Sequence, residues 1–326
     1  MTKKYILHII IIVFLSITIF SYAQKTINNP LLEGFYADPT IIKHNDYYYI
    51  YATIDPWGAE ELAVFETKDF KSFERKHINW PTKKACTSST SGNAMVWAPS
   101  VVKAKNGKFY MYVSVGSEIW VGVSDHPIGF WKNAKNDNSP LINSQFFPGY
   151  HMIDAECFID EDSSAYLYWG SGLNWINGHC FAAKLKDDMI NFDGIPRDVT
   201  PPNYFEAPFM LKYNKIYYLM YSDGKAIDAS YKIRYAISMN PFGPWKEGIT
   251  SPILLTNNDS TLIGPGHHTI FKECGQYYIL YHKIFPQKEN FVLRQLCIDS
   301  LNFDNYGNIK KIIFKNYIIF ENCKFH

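Results

Sequence analysis

The chain is predicted to be an all-β protein, a five-bladed β-propeller, and three observations predict it. One aromatic strand recurs five times, at residues 48–53, 109–114, 165–170, 217–222 and 277–282. A turn signal stands before every copy. The composition, with 24 Tyr, 23 Phe and 8 Trp in 326 residues, favours strands and surfaces on which ligands stack.

The second residues of the five copies are Tyr49, Tyr110, Tyr166, Tyr218 and Tyr278, spaced by 61, 56, 52 and 60 positions. The turns before them are His44-Asn45-Asp46, Lys105-Asn106-Gly107-Lys108, the run 160–164, Tyr213-Asn214-Lys215 and Glu273-Cys274-Gly275-Gln276. Each turn follows a short apolar run such as Thr40-Ile41-Ile42 or Ser100-Val101-Val102. Two short strands joined this way form a hairpin. A multi-strand unit repeated at this interval, with no amphipathic helix between copies, is the mark of a propeller blade. The competing fold is a two-sheet sandwich in which the aromatic strands recur by coincidence.

Residues 1–23 combine Lys3 and Lys4 with an apolar run from Tyr5 to Phe20 and the small-residue exit Ser21-Tyr22-Ala23. That is the layout of a secretory signal peptide, and the run is shorter than a membrane span requires. The expectation is an exported chain, periplasmic or secreted, with no membrane attachment after cleavage and residues 24–326 forming a single propeller domain. No cysteine follows the cleavage point to carry a lipid. The net charge of +1 leaves no footprint for nucleic acid. Cys86, Cys157, Cys180, Cys274, Cys297 and Cys323 lie far apart without metal-ligand spacing and read as mostly free, buried thiols.

Counting back 11 or 12 positions from the reference tyrosines lands on Asp38, Pro99, Asp154, Glu206 and His267. Innermost strands of a propeller line its central channel, so these positions face one mouth. Carboxylates gathered in a pocket repel and resist ionisation when buried, and a sequence that gathers them has a use for them. A pair serving as acid and base is what hydrolysis of a glycosidic bond requires.

At these motifs the chain resembles glycoside hydrolase family 43 over nearly its whole length. The matching stretches are Asn29-Pro30-Leu31-Leu32-Glu33-Gly34-Phe35-Tyr36-Ala37-Asp38-Pro39-Thr40, Trp97-Ala98-Pro99-Ser100, Ile153-Asp154, Phe205-Glu206-Ala207-Pro208, Pro241-Phe242-Gly243-Pro244-Trp245 and Gly266-His267-His268. Ala155 and Ala207 depart from the pattern, Ala207 standing where glycine is frequent.

The resemblance implies an inverting glycosidase in which Asp38 is the general base, Glu206 the general acid and Asp154 the residue that orients Glu206 and adjusts its pKa. Implied substrates are β-D-xylosides and α-L-arabinofuranosides of plant-type polysaccharides or oligosaccharides. It implies no cofactor for the chemistry, and a structural calcium on the propeller axis reached by His267 directly or through water. Phe35, Trp97 and Arg294 are the candidate sugar contacts. Segments 76–96 and 133–150 are expected to rim the pocket and restrict it to chain ends. Two other functions fit the same fold. A retaining sucrose or fructan hydrolase would need a Trp-Met-Asn-Asp-Pro-Asn type opening, which Tyr36-Ala37-Asp38-Pro39-Thr40 lacks. A non-catalytic glycan-binding propeller would tolerate loss of a carboxylate, and all three are in register.

Overall fold

A computed structural model describes residues 23–287 and 291–322. The expected signal segment lies outside these residues apart from its last position. The second strand of every blade is buried along most of its length: Tyr47–Ile54, Phe109–Val115, Ala165–Trp169, Ile216–Asp223 and Gln276–Ile284. A strand covered on both faces needs apolar residues at successive positions, which accounts for the aromatic repeat. Alternate side chains serve opposite neighbours. Tyr48, Ile50 and Ala52 join the core shared by blades one and five, whereas Tyr49 and Tyr51 join the core shared by blades one and two. Five such cores fill the five junctions.

Blade one pairs Tyr36–His44, Tyr47–Ile54, Ala63–Thr67 and Glu74–Lys76 in order, all antiparallel. Blade two pairs Val96–Lys103, Phe109–Val115, Ile119–Ser124 and Lys132–Asn133. Blade three runs Glu156–Ile159, Ala165–Trp169, Phe181–Leu185 and Arg197–Asp198. Blade four runs Glu206–Tyr213, Ile216–Asp223, Lys232–Ser238 and Lys246–Glu247, with Leu254–Leu255 also on its third strand. Blade five is a three-stranded sheet, Gly266–Glu273, Gln276–Ile284 and Arg294–Leu301.

Blade five does not keep a bare edge. Asn29 donates to Ile298 O at 2.9 Å and accepts from Ile298 N at 2.8 Å, and Leu31 N–H donates to Leu296 O at 2.7 Å. Residues 29–31 thus satisfy the outer row of amides that an edge strand exposes. Just before them, Ala23–Asn28 pairs with Tyr317–Asn322 in a two-stranded ribbon, and Ile27, Leu31, Ile318 and Phe320 enter the core between blades five and one. The two ends of the described chain close the ring there. Cys86, Cys157, Cys180 and Cys297 are free and buried, while Cys274 is disulfide-bonded.

Candidate active site

Each innermost strand, or the residue pair leading into it, carries one non-glycine residue with left-handed backbone at the channel mouth. These are Asp38 (φ 51°), Ala98 (47°), Asp154 (57°), Ala207 (53°) and His267 (41°). The pairing register slips across it in blades one, two, four and five, as at a bulge that re-aims a side chain. Its N–H is tied to the last residue of the preceding blade's aromatic strand. Ala98 N–H donates to Thr53 Oγ1 at 2.9 Å, Asp154 N–H to Ser114 Oγ at 3.0 Å, His267 N–H to Ser222 Oγ at 2.9 Å and Asp38 N–H to His282 Nδ1 at 3.3 Å. Blade three ends its aromatic strand in Gly170, which has no side chain to offer. The Ala207 amide instead faces the Asp154 carboxylate and helps to hold its pKa down.

This ring corrects the equivalence drawn from counting. Ala98 and Ala207, not Pro99 and Glu206, are the counterparts of Asp38, Asp154 and His267. Glu206 sits one residue earlier, where it faces Ser222 as Trp97 faces Ser114. The convergence itself stands: Asp38, Asp154, Glu206, His267 and Arg294 line one cavity of about 350 Å³.

Asp38 is buried among cations and imidazoles. Arg294 Nη1 donates to its Oδ1 at 2.9 Å, and Nδ1 of His267 and of His282 lie 3.2 Å and 3.3 Å from the same oxygen. Burial alone would raise this carboxyl, but Arg294, then His267, bring it well below the usual carboxylate range. Asp55, its side chain fully buried, fixes Arg294 from the other side. Arg294 Nε and Nη2 meet the Asp55 carboxylate at distances from 2.6 to 3.2 Å, and the guanidinium lies 4.8 Å from the Trp57 ring centre.

Glu206 is buried among neutral groups. Tyr231 Oη donates to Oε1 at 2.8 Å and Ser171 Oγ to Oε2 at 3.1 Å. Burial, reinforced by the charge of Asp154, pushes its carboxyl up to about 8. Asp154 is raised less, to about 6, because His267, Arg294 and the Ala207 amide offset its burial. Tyr231 also stacks on His282 at 5.7 Å, so the partner of Glu206 rests on a partner of Asp38. A Cβ at Gly266 would lie 1.8 Å from the Tyr231 ring, and only glycine leaves that tyrosine its place.

The sequence matches the model of "Glycosyl hydrolases family 43" over residues 27–309. It is 33% identical to a β-D-galactofuranosidase of Aspergillus niger, across 86% of this chain and 83% of that one. It is 26% identical to a β-xylosidase of Xylanibacter ruminicola, across 74% and 78% respectively. The fold superimposes on an α-L-arabinofuranosidase of Clostridium thermocellum with a TM-score of 0.70 and 28% identity, covering 87% of this chain and 95% of that one. The chain belongs to glycosyl hydrolase family 43. Its substrate is therefore a carbohydrate.

The walls of this family 43 pocket differ from those expected. Neither segment 76–96 nor segment 133–150 lines the cavity. Phe147 and Tyr150 pack instead on Phe181 at the flank of blade three, and Val96 bridges to Ala59. The lining comes from Trp57, from Trp97 beside His151, from the turn Leu173–Trp175, and from Phe205 and Ala226. Trp97 lies where a sugar contact was expected. Phe35 does not; its ring packs on Phe285 at 5.2 Å, and its carbonyl accepts from Asp55 N–H. Arg294 lines the cavity, with its guanidinium held by two carboxylates.

Nδ1 of His267 is turned to carboxylates and is not placed to bind calcium directly. Calcium takes six to eight oxygens, whereas His267 presents Nδ1 to Asp38 and, at 3.7 Å, to Asp154. Burial would keep its imidazole neutral, but these two carboxylates lift it to about 9. Among the described residues no group of three or more His, Cys, Asp or Glu side chains is arranged to hold a metal.

Sequence reasoning missed Asp55, Ser171, Tyr231, His282, Trp57 and Trp175. His282 had a signal, as the last residue of the fifth aromatic copy in the place of Thr53, Ser114 and Ser222.

Proposed function

We propose that this protein is an inverting glycosidase that cleaves furanosidic bonds. The observation that carries the catalytic part is the opposite environment of two carboxylates in one cavity. Asp38 is held ionised by Arg294, and Glu206 is held protonated by burial, as a base and an acid must be at neutral pH.

In this reading water enters beside Asp38. The three contacts on that carboxylate all fall on Oδ1, so Oδ2 accepts the proton as the water oxygen bonds to the anomeric carbon. The bond from that carbon to the leaving oxygen breaks, and Glu206 gives its proton to that oxygen. Asp154 holds the Ala207 amide next to Glu206, and its charge keeps Glu206 protonated. Trp57, Trp97 and Phe205 offer ring faces to the sugar.

The β-D-galactofuranosidase and α-L-arabinofuranosidase relatives support the choice of sugar, because these two sugars share the configuration of the furanose ring and differ only in the exocyclic carbons. The β-xylosidase relative supports a second reading, a terminal β-D-xylopyranosyl residue. Release of p-nitrophenol from β-D-galactofuranoside, α-L-arabinofuranoside and β-D-xyloside decides between them. The expected result is turnover of a furanoside, with proton NMR showing the anomer opposite to that of the substrate first. A product that keeps its configuration contradicts the inverting assignment, and turnover of the xyloside alone selects the second sugar.

A further inference from the structure

Beside the catalytic cavity lies a second concavity of about 530 Å³ between blades three and four. Trp175 and Phe205 line both, with ring centres 5.8 Å apart and planes 25° from parallel. They form the wall between the two spaces. We propose that this groove is the binding site for the leaving group, the sugar residue that departs when the glycosidic bond breaks. The proposal rests on the glycosidase reading above and adds where the rest of the substrate lies.

Position favours this occupant. The acid protonates the oxygen that leaves, so the departing sugar must lie on the acid's side of the pocket. The groove lies there: Tyr204 and Phe205 lead directly into Glu206, and Ser230 precedes Tyr231, whose hydroxyl bonds Glu206. Asp38, the base, is on blade one and does not line the groove.

The lining suits a sugar. Asn203, Thr200, Lys225 and Ser230 bring amide, hydroxyl and ammonium groups, and Trp175 and Tyr204 bring aromatic surface. A few placed polar groups among aromatic faces fix an oriented polar ligand, and an amphipathic ring can stack against its C–H face.

The turn that carries the wall is held under strain. Asn174, Trp175 and Asn177 all have left-handed backbone, with φ of 53°, 62° and 51°. Such conformations persist only where surrounding structure enforces them, and ligand clamps are among the places they cluster. Here the enforcement is close packing: a Cβ on Gly178 would lie 2.3 Å from the carbonyl oxygen of Phe205. Leu173 and Ile176 beside Trp175 remain 42% and 62% exposed, which gives the rim an apolar edge that the fold itself does not use.

The test compares two substrates of the sugar that the nitrophenyl panel selects: its methyl glycoside, whose departing methanol is too small to reach the groove, and the disaccharide in which a second sugar replaces the methanol. The readout is the ratio of kcat/KM for the disaccharide to kcat/KM for the methyl glycoside. In Trp175→Ala, and in the double variant Asn203→Gly with Lys225→Ala, this ratio is expected to fall about tenfold or more, the scale of a lost specificity contact. Asn203→Gly is chosen because Asn203 has φ 59°, which glycine tolerates. Trp175→Phe, which keeps a ring face, is expected to recover most of the ratio. Melting temperatures within a few degrees of the parent show that the variants are folded. Turnover of the methyl glycoside with an unchanged ratio in folded variants overturns the groove and leaves the glycosidase reading intact. No turnover of any aryl glycoside overturns that reading, and the groove assignment falls with it.

Discussion

Asp38 and Glu206 are buried carboxylates in the same cavity, on blades one and four, and they are surrounded in opposite ways. Around Asp38 stand a guanidinium and two imidazoles, with Asp55 pinning the guanidinium from behind. Around Glu206 stand two neutral hydroxyls and the negative charge of Asp154. Burial pushes both toward the protonated form, and only at Asp38 is there cationic charge enough to reverse it. One cavity thus holds a carboxylate and a carboxylic acid together, and the neighbours rather than the residue type make the difference.

The largest expected effect comes from erasing one side of that comparison. Asp38→Asn keeps the shape and removes the proposed base, and kcat on the preferred aryl glycoside is expected to fall by about 10² to 10⁴, the usual worth of a positioned general base. Steady-state kinetics with a circular dichroism check of folding measures it.

Arg294→Met removes the larger of the two cationic influences on Asp38 and leaves His267. Without the guanidinium the Asp38 carboxyl rises, and the acid limb of the kcat/KM profile moves to higher pH by about one unit or more. Asp55 is left buried without its partner, so denaturant unfolding is expected to show a loss of about 3–5 kcal/mol. The pH dependence of stability changes as well. A carboxyl whose folded pKa is depressed contributes above its unfolded pKa and loses that contribution as pH falls through the folded value. The parent protein therefore loses stability on the acid side more steeply than Arg294→Met does.

Two variants sharpen the Glu206 side in opposite directions. Asp154→Asn removes the negative charge that helps keep Glu206 protonated, so the alkaline limb, expected near pH 8 in the parent, moves down by about one unit. Tyr231→Phe removes a hydrogen bond that favours the ionised form of Glu206, so the same limb moves up by a few tenths of a unit, with a loss of activity of about threefold to tenfold. Both limbs are read from kcat/KM against pH. Equal shifts in the same direction would contradict the roles given to the two neighbours.

The fold was legible because each blade repeats one physical requirement: a strand sandwiched between two cores must be apolar at consecutive positions, and the tyrosine repeat records that. Asp38, Asp154 and His267 were legible because they share a place in the repeat. Glu206 was reached through a count one residue out of register, because the count allowed either 11 or 12 positions and Glu206 stands at 12, next to Ala207 at 11. What the repeat could not show is contact between distant parts of the chain. Asp55 reaches Arg294 across 239 positions and Tyr231 reaches Glu206 across 25, and neither stands at a repeated position. The rim was misjudged because long segments were taken for pocket walls, whereas Ile142 pairs with Ile119 of blade two, Phe147 and Tyr150 pack on the side of blade three, and the short turn at 173–175 forms the wall. Gly170 was visible as the odd member of Thr53, Ser114, Gly170, Ser222 and His282. Its meaning, an amide released to Asp154, needed the structure.

The measurement closest to the central claim is a carbon-13 NMR titration of the side-chain carboxyls in the protein labelled at aspartate and glutamate, with Asp38→Asn and Glu206→Gln assigning the two resonances. Asp38 is expected to stay ionised well below the ordinary carboxylate value of about 4, while Glu206 takes up its proton near pH 8. Titration of both at ordinary values, or Asp38 above Glu206, would contradict that claim.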